Sequence, residues 1–197
     1  MPLDRALPQP NPLPDNLPRP TDDGAARHLP GQMLPALTLP TTAGSLQRLD
    51  RIADGRWVLF IYPSTGKPGD DIPAGWNDIP GARGCSNEAC SFRDNLGALE
   101  HLGIEHVRAL SSDPIEYQQA LVRRFHLPYL MLSDSELSLA AALKVPTFQA
   151  HSKILYKRLT MVIRGSTIEH CFYPIFPPDS HAAEVVDWLT ANPLTGA

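Results

Sequence analysis

The sequence contains no long apolar run, few cysteines and no block of like charge, and each absence excludes a class of protein. Its longest strongly apolar stretch, residues 57–62, has six residues, far short of the roughly 20 that a membrane-spanning helix needs. The 17 basic and 21 acidic residues give a net charge of −4 and are interspersed. A nucleic-acid-binding stripe and a polybasic membrane patch are therefore both unexpected.

The N-terminus lacks the pattern of an export signal. It has no basic start followed by an apolar stretch and a small-residue cleavage site, which is the signature of secretion. We therefore expect a cytoplasmic protein. Because three cysteines cannot all pair within one chain, a structural disulfide framework is not expected, and the value of these thiols is chemical.

Proline is concentrated at the N-terminus, where seven of the 21 prolines lie within the first 20 residues. This density blocks both helix and central strand. It predicts an extended arm over residues 1–27, followed by one domain over residues 28–197. The arm is either a disordered tail without catalytic importance or a segment that packs against the domain or a neighbouring subunit.

Strands and helices alternate through the predicted domain. The continuous apolar run 56–62 is typical of a strand covered on both faces. Asp113 and Pro114 are typical of the cap and first position of a helix that ends near Phe125. Further strands are predicted at 104–110, 129–132, 159–163 and 167–173, and further helices at 86–102, 135–143 and 179–191. The alternation predicts a three-layer α/β domain.

A long irregular segment, residues 63–84, separates the first buried strand from the first helix. Its 22 residues are rich in Gly, Pro, Asp and Asn, and connections of this length are uncommon without a functional reason. We therefore interpret it as a functional loop, with Trp76 in a position to cover a site.

Cys85 follows Gly84 at the point where this loop turns into the helix. Unpaired backbone N–H groups and the positive end of the helix dipole stabilise a thiolate there. A free cysteine is only about 3% thiolate at pH 7, and lowering its pKa to about 6 would give about 90%. The alternative is that Cys85 is a small buried apolar residue, as free cysteines commonly are.

Cys90 lies five residues after Cys85, and this spacing favours redox chemistry. In a regular helix the two Cα atoms are roughly 8–9 Å apart, whereas a disulfide needs about 7 Å or less. The thiols can coexist reduced in an intact helix and can bridge only when its first turns unwind. Cys85 would be oxidised to a sulfenic acid, and Cys90 would then capture it.

The stretch 82–94 (ARGCSNEACSFRD) resembles the active-site segment of the Q-type peroxiredoxins, or bacterioferritin comigratory proteins, whose pattern is close to T-P-G-C-T-x-E-A-C-x-F-R-D. The lead-in 34–44, the strand ending at 62–63 and the Arg-x-Thr at 158–160 follow the same family order. The resemblance implies a thioredoxin-like sandwich with a central mixed sheet flanked by helices. It also implies a peroxidatic Cys85, a resolving Cys90 and an Arg158 that holds the thiolate and the peroxide.

On the substrate side, the candidate residues are Pro63, Thr65 and Gly84, and no metal or organic cofactor is expected. Two departures affect this assignment. Ala82 replaces the family threonine, so either Thr65 or Ser86 would supply the hydroxyl. Asp78 stands in the place of the shielding proline, a role open to Pro63 or to Pro80.

Other arginines, a third cysteine and the histidines are further candidates by residue type. Arg83 and Arg93 could also lower a nearby thiol pKa, but the resemblance favours Arg158. Cys171 has no partners at metal-ligand spacing and is expected to be a packed thiol. The histidines lie singly, and no role follows for them.

The expected function is reduction of hydrogen peroxide or organic hydroperoxides by a monomer or homodimer that a thioredoxin-like protein resets. A thiol-disulfide oxidoreductase is the first rival, although such enzymes usually carry Cys-x-x-Cys. The second is a redox sensor or binding module, whose disulfide would switch a surface made by the arm or by the 63–84 loop.

Overall fold

A five-stranded mixed sheet forms the centre of the protein. The computed structural model describes residues 6–194, so the first five residues of the predicted arm and the last three of the predicted domain lie outside the described part. The strands are β1 (Thr38–Pro40), β2 (Leu46–Arg48), β3 (Arg56–Ile61), β4 (Ile104–Ser111), β5 (Leu130–Ser133), β6 (Thr147–Ala150), β7 (Lys153–Tyr156), β8 (Leu159–Arg164) and β9 (Thr167–Phe172). The helices are α1 (Cys85–Asp94), α2 (Leu96–His101), α3 (Ile115–Phe125), α4 (Ser138–Leu143) and α5 (His181–Ala191).

The central strand is β3, as its continuous apolar sequence predicts. The sheet order is β5-β4-β3-β8-β9, and all six residues of β3 are buried. It pairs in parallel with β4 and antiparallel with β8, and β5 and β9 complete the two edges. The expected three-layer sandwich with a central mixed sheet is therefore confirmed.

Side chains of β3 and its continuation alternate between two cores, one on each face of the sheet. Val58 and Phe60 pack with residues of α1, α2, α3 and α5, while Trp57 and Leu59 pack on the opposite face with residues that include Leu139 of α4. This alternation follows from the two-residue period of a strand. Each fully buried side chain of this size contributes about 1.5–3 kcal/mol, which fixes β3 and the loop that follows it.

The helix predicted over 86–102 is two helices in the structure, because the helical backbone is interrupted at Asn95. Its backbone leaves the helical region, with φ −101° and ψ 4°, and its side-chain Nδ2 donates to the Ser91 carbonyl at 2.9 Å. Asparagine side chains compete with the backbone in this way and so favour helix ends. Two hairpins, β1–β2 and β6–β7, were not predicted, because their strands have only three or four residues.

None of the helices within residues 6–194 combines the length and the apolar character needed to span a bilayer.

Candidate active site

Cys85 is the first residue of α1 and lies at the end of the 63–84 loop. The helix therefore begins where the sequence predicts. Gly84 adopts φ +101°, and a side chain there would clash with Pro178, so both the turn and the close packing require glycine. The Cys85 side chain is 4% exposed, and its thiol points to the Ala82 carbonyl at 3.5 Å.

Arg158 contacts the Cys85 sulfur from the residue directly before β8. Its Nη2 lies 3.2 Å from Cys85 Sγ, and the side chain is buried. The same guanidinium donates to the carbonyls of Gly81, Ala82 and Arg83 at 3.2–3.3 Å. These bonds fix the orientation of the group, because each guanidinium N–H has a fixed direction.

The other two candidate arginines occupy different surroundings. Arg83 lines the cleft beside Cys85, and its carbonyl accepts from Arg158. Arg93 donates to the Phe125 carbonyl at 2.7 Å and to the Pro8 carbonyl at 2.8 Å. Arg158 is therefore the one of these three whose guanidinium bonds to the Cys85 sulfur.

Glu88 is a further residue of the site, and its role was not predicted from the sequence. It is fully buried one turn after Cys85 and forms an ion pair with Arg158 Nη1. Burial raises the pKa of the Glu88 carboxyl, and the charge of Arg158 opposes that rise. A buried carboxylate needs a partner of opposite charge. Glu88, which lies between the two cysteines in the sequence, was therefore the available signal for a buried cation at this site.

Asp113 fixes the start of the 63–84 loop near Cys85. The backbone N–H of Ser64 helps to lower the pKa of the Cys85 thiol, and the Ser64 hydroxyl donates to Asp113 at 2.5 Å. Thr65 donates to the same buried carboxylate through its N–H at 2.8 Å and its hydroxyl at 3.1 Å. Three donors from two adjacent residues thus hold this backbone against Cys85.

The role predicted for Asp113, as the cap of α3, is wrong. Pro114 is the N-cap of α3, and no side-chain hydrogen bond caps this helix. The Asp113 carboxylate points instead to Ser64 and Thr65, because β3 and β4 are parallel neighbours and their carboxyl ends meet at one edge of the sheet. An acidic residue two positions after the end of β4 was the available signal.

The two hydroxyl candidates both line the cleft, together with Gly84 and Cys85. The Thr65 hydroxyl proton is directed to Asp113, so toward the cleft this oxygen can act only as an acceptor. Of the two proline candidates, Pro63 is buried. It is not one of the residues within 6–194 that line this cleft. Pro80 lines a separate cavity, together with Arg158.

The cleft in front of Cys85 has a volume of about 330 Å³. The 63–84 loop contributes Trp76, which is only 8% exposed and packs beside Phe148 with ring centroids 6.4 Å apart. Trp76 therefore both lines the cleft and anchors the loop on the β6–β7 hairpin. The N-terminal arm contributes Pro10 and Asn11 to the same cleft.

Burial raises the pKa of the Cys85 thiol above its ordinary value, while the Arg158 charge and the Ser64 N–H lower it. The expected lowering of this pKa is therefore wrong for the closed, reduced site. The helix start and the arginine are present, but the loss of water around a nearly inaccessible sulfur outweighs them.

Cys90 faces the core from within α1. It is 2% exposed, and burial raises the pKa of its thiol to about 11. All three cysteines, Cys85, Cys90 and Cys171, are free. For Cys85 and Cys90 this is expected, because the continuous helix holds their thiols apart. Cys171 is half-buried on β9 and packs against the core that contains Trp57 and Leu59. Burial raises the pKa of its thiol to about 12.

Comparison with known proteins gives consistent matches over the domain. The model of the redoxin family matches residues 29–186. A putative peroxiredoxin bcp from Coxiella burnetii is 30% identical over 162 residues, which are 81% of this chain and 97% of that protein.

Among solved structures, peroxidoxin BcpB from Mycobacterium tuberculosis superposes with a TM-score of 0.65 at 27% identity, covering 82% of this chain and 96% of that one. A cysteine-to-serine mutant of peroxiredoxin Q from Xylella fastidiosa gives 0.66 at 21% identity, covering 82% and 95%. At that identity the second likeness concerns the fold.

Proposed function

The chain belongs to the redoxin family as a peroxiredoxin of the Q type, and we propose that Cys85, Cys90 and Arg158 carry out its reaction. The protein is a thiol-dependent hydroperoxide reductase. The observation that carries the residue assignment is the 3.2 Å contact between Arg158 Nη2 and the sulfur of Cys85, at the first residue of a helix.

In the first step, the Cys85 thiolate attacks the distal oxygen of the hydroperoxide. A sulfur–oxygen bond forms and the O–O bond breaks, leaving a sulfenic acid on Cys85 and releasing water or an alcohol after proton transfer. Arg158 supplies a permanent positive charge where the negative charge moves from sulfur to the leaving oxygen. The buried Glu88 holds that guanidinium in place.

In the second step, the Cys90 thiol attacks the Cys85 sulfenic acid, and the two sulfurs form a disulfide as water leaves. Because the five-residue spacing does not allow this bond in an intact helix, the first turns of α1 must unwind. An external dithiol protein of the thioredoxin kind then reduces the disulfide by thiol exchange. The reaction uses no metal or organic cofactor.

On the substrate side, we assign Thr65 and Gly84 to the cleft wall and Pro63 to the support of the Ser64–Thr65 backbone. The substrate is hydrogen peroxide or an organic hydroperoxide. We further propose the division into an arm (1–27) and a catalytic domain (28–197), a cytoplasmic location, and action as a monomer or homodimer without nucleic acid or membrane.

Stopped-flow tryptophan fluorescence tests these roles directly. Reduced protein is mixed with hydrogen peroxide, and wild type is compared with Cys85→Ser, Cys90→Ser and the control Cys171→Ser. We expect a fast peroxide-dependent phase that Cys85→Ser abolishes, and a slower phase that Cys90→Ser abolishes. Cys171→Ser should retain both. If wild type consumes no peroxide even with a dithiol present, the peroxidase assignment is wrong.

A further inference from the structure

The N-terminal arm, which precedes the part of the chain that the redoxin family covers, lies alongside α1 and runs in the opposite direction. Near the C-terminal end of the helix, the Pro8 carbonyl accepts a hydrogen bond from Arg93 Nη1 at 2.8 Å. The Gln9 side-chain amide donates to the Asp94 carboxylate at 3.2 Å. These first contacts of the arm therefore lie on the C-terminal side of Cys90.

The next residues of the arm follow the helix to its first turn. Asn87 Nδ2 donates to the Asn11 carbonyl at 3.0 Å, and the half-buried Leu13 side chain packs against Gly84 at the helix N-cap. Arm residues 8, 9, 11 and 13 thus contact residues 93, 94, 87 and 84, respectively. The arm therefore runs along α1 from its last turn to its N-cap and passes both Cys90 and Cys85.

Two features make this path well defined. Prolines at 8, 10, 12 and 14 restrict the backbone to extended conformations, so little conformational entropy is lost when the arm is ordered. Farther along, Asp23 forms an ion pair with Lys157 at 2.6 Å and accepts from the Tyr173 hydroxyl at 2.8 Å. The arm is held at the helix and again beyond it.

The contacts divide according to what disulfide formation requires. Gly84, the N-cap of α1, and Asn87, in its first turn, lie at the end of the helix that must unwind before Cys90 can reach Cys85. Arg93 and Asp94 lie beyond Cys90 and can keep their positions. Unwinding must therefore break the contacts of Asn11 and Leu13, whereas those of Pro8 and Gln9 can persist.

We propose that residues 11–13 of the arm clamp the first turn of α1 and slow formation of the Cys85–Cys90 disulfide; this inference rests on the proposed function. The clamp keeps α1 and the cleft in front of Cys85 intact while peroxide reacts. It also prolongs the lifetime of the sulfenic acid on Cys85. A second peroxide molecule can oxidise a long-lived sulfenic acid to the sulfinic acid. The arm thereby sets how readily excess peroxide inactivates the enzyme.

The test uses full-length reduced protein mixed with hydrogen peroxide in a stopped-flow instrument, with the second, peroxide-independent phase as the readout. Leu13→Ala should accelerate this phase about three- to tenfold, the size expected for truncating a half-buried leucine. Leu13→Met, which conserves volume, should restore the slow rate. Mass spectrometry after excess peroxide should show less sulfinic Cys85 in Leu13→Ala than in wild type.

Two matched controls separate the clamp from general loosening of the arm. Leu7→Ala makes the same change at a leucine that is 46% exposed. Gln9→Ala removes a contact with the part of α1 that does not unwind. Both should leave the second phase within about twofold of wild type.

The outcomes distinguish failure of this inference from failure of the proposed function. If wild type shows no peroxide-dependent phase that Cys85→Ser removes, the proposed function fails. If both phases are present but Leu13→Ala leaves the second unchanged, the clamp is disproved. Equal acceleration in Leu13→Ala and Gln9→Ala also overturns it, because the arm would then act without regard to which turns unwind.

Discussion

At Cys85, burial and positive charge act in opposite directions on one thiol. Desolvation disfavours the thiolate, while Arg158 and the Ser64 N–H stabilise it. The burial that raises the pKa also strengthens each remaining charge interaction, because water no longer screens them. Arg158 is itself held by the buried Glu88, so the charge that faces the Cys85 sulfur is fixed by a second buried charge.

Replacing Arg158 should therefore have a large effect on the reaction. We expect Arg158→Met to raise the Cys85 pKa further and to lower the second-order rate constant for peroxide about 100-fold or more. Stopped-flow kinetics and the ultraviolet absorbance of the thiolate measure these two effects. Arg164→Met, at the exposed end of β8 (48% exposed), is the matched control and should leave both unchanged.

The single variant leaves Glu88 as an unpaired buried charge, which costs stability. Arg158→Met/Glu88→Gln should therefore be measured beside it, with thermal unfolding of each variant. A folded double variant whose peroxide rate stays within a few-fold of wild type would contradict the role of Arg158.

The raised pKa of Cys85 also predicts the pH dependence of the first step. At a given pH, a higher thiol pKa means a smaller thiolate fraction, so the peroxide rate should still increase as pH rises above neutral. Rate constants measured between about pH 6 and pH 10 should show this increase. A rate that is already constant from pH 6 upward would show that the thiol pKa is lowered.

At the scale of elements, the site is assembled where the parallel strands β3 and β4 end side by side. Ser64 and Thr65 lie in the loop after β3, and Asp113 lies in the loop after β4. The Asp113 carboxylate therefore joins the two loops through its hydrogen bonds to Ser64 and Thr65. The helix that begins at Cys85 then closes on this junction from the far end of the 63–84 loop.

Asp113→Asn should weaken this junction and the reaction together. An amide is a poorer acceptor for three donors, so we expect the free energy of unfolding to fall by about 1–3 kcal/mol. The peroxide rate should fall about tenfold as the Ser64 N–H loses its fixed position. Urea unfolding and stopped-flow kinetics measure the two effects.

Asp134→Asn is a close control for this prediction. Asp134 is also buried and accepts from the backbone of Ser138 and Leu139 and from the Tyr156 hydroxyl, whereas the donors to Asp113 are the cleft residues Ser64 and Thr65. The control should lose similar stability and keep the wild-type rate. If both variants lose activity equally, Asp113 acts through stability alone.

At the scale of the whole molecule, two cores on opposite faces of one sheet position every site residue. Phe60 stacks on Phe92 of α1 with ring centroids 4.4 Å apart and so links the central strand to the cysteine helix. Trp57 and Leu59 fill the opposite core. The position of Cys85 relative to Arg158 therefore depends on packing throughout the domain.

Phe60→Ala should destabilise the whole domain. Removing this fully buried ring leaves a cavity, and we expect the free energy of unfolding to fall by about 3–5 kcal/mol. Leu46→Ala, at a side chain that is 72% exposed, should change it by less than about 0.5 kcal/mol. Denaturant unfolding compares the two, and similar losses would mean that this core does not govern stability.

The sequence by itself determined the features that depend on near neighbours. The apolar run 56–62 required a doubly covered strand, and the alternation of strands and helices required layers. The helix began at Cys85 as its sequence indicated, and the five-residue spacing to Cys90 set the need for unwinding. Each of these follows from strand or helix periodicity, which a chain carries locally.

Only the tertiary structure decided what surrounds the sulfur. Arg158 lies 73 positions from Cys85, and residue type alone left three arginines as candidates. The contact of Asp113 with Ser64 and Thr65, and the direction of the Cys85 pKa, also depend on which elements pack together. Burial and long-range pairing are properties of the packed molecule, because they arise only when distant segments exclude water from one another.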